Sequence, residues 1–321
     1  MNTFLFRAAI GLLMAFFGAI TYFTNDVQNP VTGEKQRVQL SPRQEIVLGL
    51  QARDKMAAQY GGLYPSQSIQ QYVDQVGKRV VNGSTAKQAG YPFEFHLLRD
   101  PETVNAFALP GGQVFITAGL LRRLNSEAQL AAVLGHESGH VVARHAAEHL
   151  AKQQLGRSLV TAVGVATSDD RGGGQQAALI AQAVNQVVGL RYGRADELES
   201  DRLGFRFMTE AGYDPRGIVE VMQILGASRN GQAPPEFLSS HPNPENRVEK
   251  LQALIAQNYP NGVPANLVSG RDEFAKNVSG DQRSLHRPSQ NFMLKADISW
   301  RVIWHDRLNE RSSNWKVENH D

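Results

Sequence analysis

The apolar positions of this chain fall into three patterns. Ala8 to Phe23 is an uncharged apolar run that follows Arg7. It predicts a targeting or anchoring segment over residues 1–24. Gln113–Thr117 alternates and is rich in Val, Phe, Ile and Thr, which predicts a strand, with Gly111-Gly112 as the turn that feeds it. Leu130, Ala131, Val133 and Leu134, then Val141, Val142 and Ala143, make a segment apolar on several faces. Such a segment predicts a buried helix.

The remaining elements are predicted from caps and breakers. Ser41-Pro42-Arg43-Gln44 reads as a capping box with Pro at the first helical position, opening a helix to about Ala58. Ser66 to Val81 reads as a second helix closed by Asn82-Gly83. A further strand is expected over 92–98, and helices over 175–192, 195–211, 215–228 and 244–257. Asn25 to Leu40 reads as a polar linker, and Ser168 to Gly174 as a connecting loop. The sum is a mainly helical α+β chain with a small sheet. Ser126 is the expected N-cap of the buried helix and Gln129 its partner in a capping box, and the helix is expected to run from about Glu127 to Gln154 or beyond.

That helix carries His136-Glu137-Ser138-Gly139-His140, an H-E-x-x-H sequence. Residues four apart on a helix are separated by about 40° around its axis, so both imidazoles point to one side. Two neutral ring nitrogens there can hold one Zn²⁺, and Glu137 is placed to take a proton from a water at the metal. Histidines and a glutamate on a buried helix are unfavourable unless paired or bound to metal. The pattern predicts metal-assisted hydrolysis, most often of a peptide bond. His145 and His149 form a second pair four apart. On a straight helix they face away from His136, so they read as an outer layer or as surface residues.

A catalytic zinc usually takes three protein ligands. The H-E-x-x-H-x-x-G-x-x-H arrangement is excluded, because Ala143 and Ala146 stand where it needs Gly and His. Arg194 to Asp201 offers an alternative: Glu197 and Asp201 share a helical face, so Glu197 could bind the metal while Asp201 accepts the far N–H of a ligand histidine. Taken alone, this stretch reads equally as a charged, solvated face. Glu199 projects away from Glu197 and is the weaker candidate.

Four motifs in order carry a family resemblance. They are Asn105 to Gly112 running into Val114 to Leu121; His136 to His140 continuing to Arg144-His145; Glu197 to Asp201 followed by Arg202-Leu203-Gly204; and Ser240-His241-Pro242 with Arg247 six residues after the histidine. Together they cover roughly residues 40–265, and the chain resembles the HtpX-like and CAAX-prenyl-protease-type zinc metallopeptidases, which are gluzincins. The resemblance implies a zincin-like domain over 41–268, one Zn²⁺ per chain held by His136, His140 and Glu197, and Glu137 as general base. It also implies that His241 and Arg247 approach the site. Two roles are open to His241: donating to the oxyanion, or occupying the open zinc position at rest. In such peptidases the strand before the motif helix lies along the cleft, where its free edge can pair with an extended substrate; an ordinary core hairpin is the equal alternative. Asn105, Gly112 and Val114 are then candidate substrate contacts.

Composition narrows the setting. Net charge is +2, which gives no electrostatic case for nucleic acid. The absence of cysteine excludes a disulfide framework and a thiolate zinc site. Arg7 predicts the N-terminal end in the cytoplasm, so the catalytic domain is expected to face the periplasm of a bacterium, anchored in the inner membrane or released if the segment is cleaved. No other segment reads as a span, which points away from the integral-membrane branch and its prenylated substrates. The tail, 269–321, holds Trp300, Trp304 and Trp315 and carries no motif of the family. The leading expectation is an envelope endopeptidase for misfolded or unassembled proteins. The competing one is a chaperone-like or assembly-factor module with gated or residual proteolysis; an intact Glu137 speaks for the first.

Overall fold

A computed structural model describes residues 26–153, 191–227, 235–241 and 246–279, with scattered positions between 10 and 24. The expected elements at 168–174 and 175–190, and the tryptophans of the tail, lie outside the described residues.

The chain begins with a hairpin, β1 (Asp26–Gln28) antiparallel to β2 (Lys35–Arg37), in the stretch read as a linker. Asn29 makes the turn, its Oδ1 accepting from the amides of Val31 and Thr32 at 2.9 and 3.1 Å. Helix α1 (Pro42–Gln59) starts at the expected box, with Ser41 and Gln44 capping each other. Helix α2 (Gln67–Asn82) buries Ile69, Val73, Val76 and Val80 at helical spacing, and lays this stripe on the sheet. Gly77 lies against the Phe95 ring, where a Cβ would collide with it.

The sheet has the order β3 (Glu94–Leu98), β5 (Gln113–Thr117), β4 (Ala106–Leu109), with β3 parallel and β4 antiparallel to β5. Of the two readings of β5, a free edge along the cleft and a core hairpin, the structure has the hairpin: β5 is paired on both sides, and all five of its residues are buried. The terminal strand on the other side of it, β4, was not predicted as a strand. Its four residues form too short an apolar run to show a period.

After the short helix α3 (Ala118–Leu121), the motif helix α4 (Glu127–Val142) runs through the core with all sixteen residues buried. Burying a side chain of Leu or Val size stabilises by about 1.5–3 kcal/mol, and α4 draws on this along every face. Ser126 caps it, its hydroxyl accepting from Gln129 N at 3.2 Å. The Gln129 side chain returns to Asn125 N rather than to Ser126 N, so only half of the expected box forms.

The motif helix is shorter than expected. It ends at Val142, and helix α5 resumes at residues 145–153 in a new direction. Arg144 sits between them in the left-handed region, with φ 57°. For a residue with a side chain that conformation costs about 1–3 kcal/mol and persists where the surroundings enforce it. Here they do. Asn29 Nδ2 donates to Val142 O at 2.7 Å, and Gln36 Nε2 donates to Ala143 O. The buried Arg144 side chain bonds Glu45 Oε1 through Nε at 2.9 Å and Leu40 O through Nη2 at 2.6 Å. The hairpin thus satisfies the carbonyls that end α4, and Glu45 at the start of α1 holds the Arg144 side chain.

Helix α6 (Arg194–Glu210) crosses α4, α7 (Arg216–Ala227) packs beside it, and α9 (Arg247–Asn258) covers α6 and α7. Helix α10 (Arg271–Ser279) falls in the region read as tail and returns to the body, where Phe274 meets Tyr72 edge-on. Ser269 O and Gly270 O accept the amides of Ala128 and Glu127 in the first turn of α4. Among the described residues, no helix is long and apolar enough to cross a membrane.

Candidate metal centre

Helical spacing brings His136 and His140 to one side of α4, with their Nε2 atoms 3.1 Å apart. Glu197 reaches them from α6. Its Oε2 lies 3.4 Å from His136 Nε2 and its Oε1 3.5 Å from His140 Nε2. His241, at the end of the short helix α8 (Phe237–Ser240), approaches from a third side, Nδ1 2.9 Å from Glu197 Oε1. One donor atom from each of these four buried residues falls within 4.8 Å of the others.

The donor set fits a metal ion. Both Glu137 oxygens, Glu197 Oε2 and His241 Nε2 are buried without a hydrogen-bond partner. Orphaned acceptors around one point are unfavourable, and a cation among them relieves that. Two imidazoles and a carboxylate are the donors Zn²⁺ takes in catalytic sites.

The outer contacts are equally ordered. His136 Nδ1 lies 3.1 Å from Asp201 Oδ1, as expected for a partner that leaves Nε2 free to face inward. Arg247 from α9 holds Asp201 with two nitrogens, Nε at 2.5 Å and Nη2 at 2.7 Å, and aims Nη1 at Glu197 Oε2 from 3.3 Å. Burial pushes the Asp201 carboxyl up, but the Arg247 charge and the hydrogen bonds of His136 and Arg247 win and hold it below its ordinary value. Burial pushes the Glu137 carboxyl up, only partly offset by the neighbouring histidines.

The two ligand helices meet through glycines. A Cβ on Gly204 would lie 2.9 Å from His136 N, and one on Gly139 would lie 3.1 Å from the Ser200 backbone. Gly204→Ala is therefore expected to push α6 away from α4 and draw Glu197 off the histidine pair. A shift approaching 1 Å reduces kcat/KM by about a hundredfold. Steady-state kinetics on the folded variant, judged by circular dichroism, measures the loss.

The structure assembles most of the expected residues. His136, Glu137, His140, Glu197, Asp201, His241 and Arg247 converge, and each is nearly or fully buried. Glu199 turns outward from the centre and meets His145 Nε2 at 3.2 Å. The kink at Arg144 changes the position expected of the second histidine pair. His145 swings back to put Nδ1 2.9 Å from His140 Nδ1, while His149 Nε2 bonds Asp196 at 2.7 Å. The expected substrate contacts divide. Asn105 meets the start of the helix that leads to His241, its Nδ2 donating to Tyr60 Oη at 3.2 Å and Glu236 Oε1 at 3.1 Å. Val114 and Gly112 do not, because Val114 is fully buried opposite Ala108 and Gly112 O accepts from Glu94 N. Tyr192 escaped the sequence reading altogether. Its ring stacks on His140 at 3.9 Å between centroids, and a lone tyrosine before a charged helix carries no sequence signal.

Residues 67–255 match the model of peptidase family M48. The chain belongs to that family. It is 31% identical over 256 residues to the mitochondrial metalloendopeptidase OMA1 of Schizosaccharomyces pombe, an alignment covering 78% of this chain and 73% of the relative. It is 32% identical over 212 residues to the beta-barrel assembly-enhancing protease of Escherichia coli K12, covering 64% of this chain and 42% of the relative. The chain thus spans less than half the length of that bacterial relative. As an M48 peptidase it is a metal-dependent endopeptidase acting on protein substrates, and its mainly helical α+β fold is the one the motif order implied.

Proposed function

We propose that this M48 peptidase is a zinc enzyme in which His136, His140 and Glu197 hold the ion and Glu137 is the general base. The observation that carries the reading is the buried group of nitrogen and carboxylate donors with the unpaired Glu137 carboxylate beside it. Held by these residues, Zn²⁺ would polarise the scissile carbonyl and lower the pKa of water. Glu137 would accept a proton from the attacking water and pass it to the leaving amine. Its burial raises its proton affinity, which suits a group that must both take and give a proton.

Arg247 acts at one remove, fixing Asp201 and hence His136. His241 is read as a fourth donor in the state described, since its Nδ1 lies against Glu197 and its Nε2 is 3.6 Å from Glu137 Oε1. To stabilise an oxyanion it would have to withdraw from this position.

The substrate is proposed to bind as an added strand along β4, not β5. Asn105 O accepts from Thr117 N, so by the alternation of antiparallel strands Ala106 and Ala108 turn their main-chain groups away from β5. Such pairing reads backbone rather than sequence and suits unfolded chains. Misfolded or unassembled proteins of a bacterial envelope are the proposed substrates, by analogy with the beta-barrel assembly-enhancing protease of E. coli. The peptidase domain, 41–268 on motif grounds, is proposed to include the hairpin at 26–37 and the helix at 271–279. Residues 1–24 are proposed as the inner-membrane anchor.

Metal content and casein hydrolysis test this reading. The purified chain is expected to hold one zinc, and Glu197→Ala to lose both zinc and turnover. A chain that hydrolyses casein equally well after Glu197→Ala would sink the ligand assignment.

A further inference from the structure

We infer that His145, backed by Glu199, is a positioning residue for His140, and that the Arg144 kink held by the N-terminal hairpin is what brings it there. The inference rests on His140 being a ligand.

The hydrogen-bond directions follow from one constraint. His140 Nε2 faces Glu197 and His136, so its ring proton sits on Nδ1. That Nδ1–H has His145 Nδ1 at 2.9 Å, which must accept with its lone pair. The proton of His145 then sits on Nε2 and is donated to Glu199 Oε2 at 3.2 Å. Glu199 thus fixes the tautomer of His145, and His145 fixes the tautomer and ring plane of His140. His136 receives the same service directly from Asp201, so the two ligand rings are oriented by different routes.

A helix continuing straight from His140 could not place residue 145 there, because five residues along it point about 140° away. The chain reaches the geometry by leaving the helix at Ala143–Arg144, with φ positive at Arg144. Asn29 and Gln36 cap the two carbonyls at the break, and Glu45 holds the arginine. Asn29, Gln36 and Glu45 all precede residue 67, where the family match begins. The segment leading in from the N-terminus is therefore part of what orients the centre.

Zn²⁺ affinity, measured by competition with a chromophoric chelator on the whole chain, tests this apart from turnover. His145→Ala is expected to bind Zn²⁺ about 10–100-fold more weakly. His145→Asn, whose Oδ1 can stand where Nδ1 stood, is expected to recover most of that loss. The d–d spectrum of Co²⁺ is expected to shift in the Ala variant and return in the Asn variant. Affinity unchanged in His145→Ala, or equally weakened in both variants, would overturn the proposal. Should His145→Ala not fold, Glu199→Ala decides, since that side chain is partly exposed; it is expected to weaken Zn²⁺ binding in the same direction, and no change would overturn the inference. An unmutated chain that binds no Zn²⁺ would instead refute the ligand reading on which this rests.

Discussion

Glu137→Gln is expected to keep its zinc and lose peptide hydrolysis by about 10²–10⁴-fold, the range a general base supplies. The substitution keeps the shape of the side chain and removes the ability to accept a proton. Neither Glu137 oxygen has a hydrogen-bond partner, the side chain is fully buried, and its one ion-pair contact is His241 Nε2 at 3.6 Å from Oε1, so the substitution breaks no hydrogen bond. A buried carboxylate without partners is unfavourable, and its replacement by a neutral amide should leave the fold as stable or slightly more so. The chain is therefore destabilised at this point for the sake of its chemistry, the kind of local inconsistency that marks functional sites. Zinc by mass spectrometry, denaturant midpoint and casein turnover on the same preparation separate the outcomes. Turnover within threefold of the unmutated chain would remove Glu137 from the mechanism and return the chaperone-like reading to first place.

Much of the site was legible because its residues obey helical spacing. His136 and His140 are four apart on one helix, and Glu197 and Asp201 are four apart on another. Periodicity within a helix is written in the sequence, so ligand and partner could be read as pairs. That α6 meets α4 is less visible, since it depends on Gly139 and Gly204 allowing the backbones to touch, and single glycines inside helices carry no directional signal. The family motifs supplied that link, and residue chemistry alone left Glu197 undecided.

The misreadings share a physical origin. The break after Val142 lies in Ala143-Arg144-His145, which contains neither glycine nor proline. The signals that end it are side chains more than a hundred positions away, Asn29 and Gln36, bonding to the terminal carbonyls. Tertiary contacts here override local propensity. The same holds for the hairpin at 26–37. Its polar residues look like a linker until Asn29 and Gln36 are seen to be buried, bonded to each other and to the carbonyls that end α4. β5 was found as a strand but its edges stayed undecided, because alternation reports burial of faces and says nothing about edges.

Arg247→Leu is expected to be the most destabilising single substitution at the centre, by about 3–5 kcal/mol, the range for removing one partner of a buried ion pair. Arg247 is 1% exposed and supplies two hydrogen bonds to Asp201, which is itself 3% exposed. Without the guanidinium the aspartate is left buried beside Glu197 with only His136 to compensate. Arg247→Lys should recover part of the stability, since an ammonium restores charge but cannot span both carboxylate oxygens. The double variant Arg247→Leu with Asp201→Leu separates charge balance from metal geometry. Replacing both members of a buried pair by apolar residues is often neutral, so its denaturant midpoint should return towards that of the unmutated chain. Its Zn²⁺ affinity should not return. His136 has lost the acceptor for its Nδ1–H, and loss of such a partner weakens metal binding by about 10–100-fold. Stability and Zn²⁺ affinity recovering together would mean that Arg247 and Asp201 only fill space. Recovery of stability alone would place them in the orientation of His136.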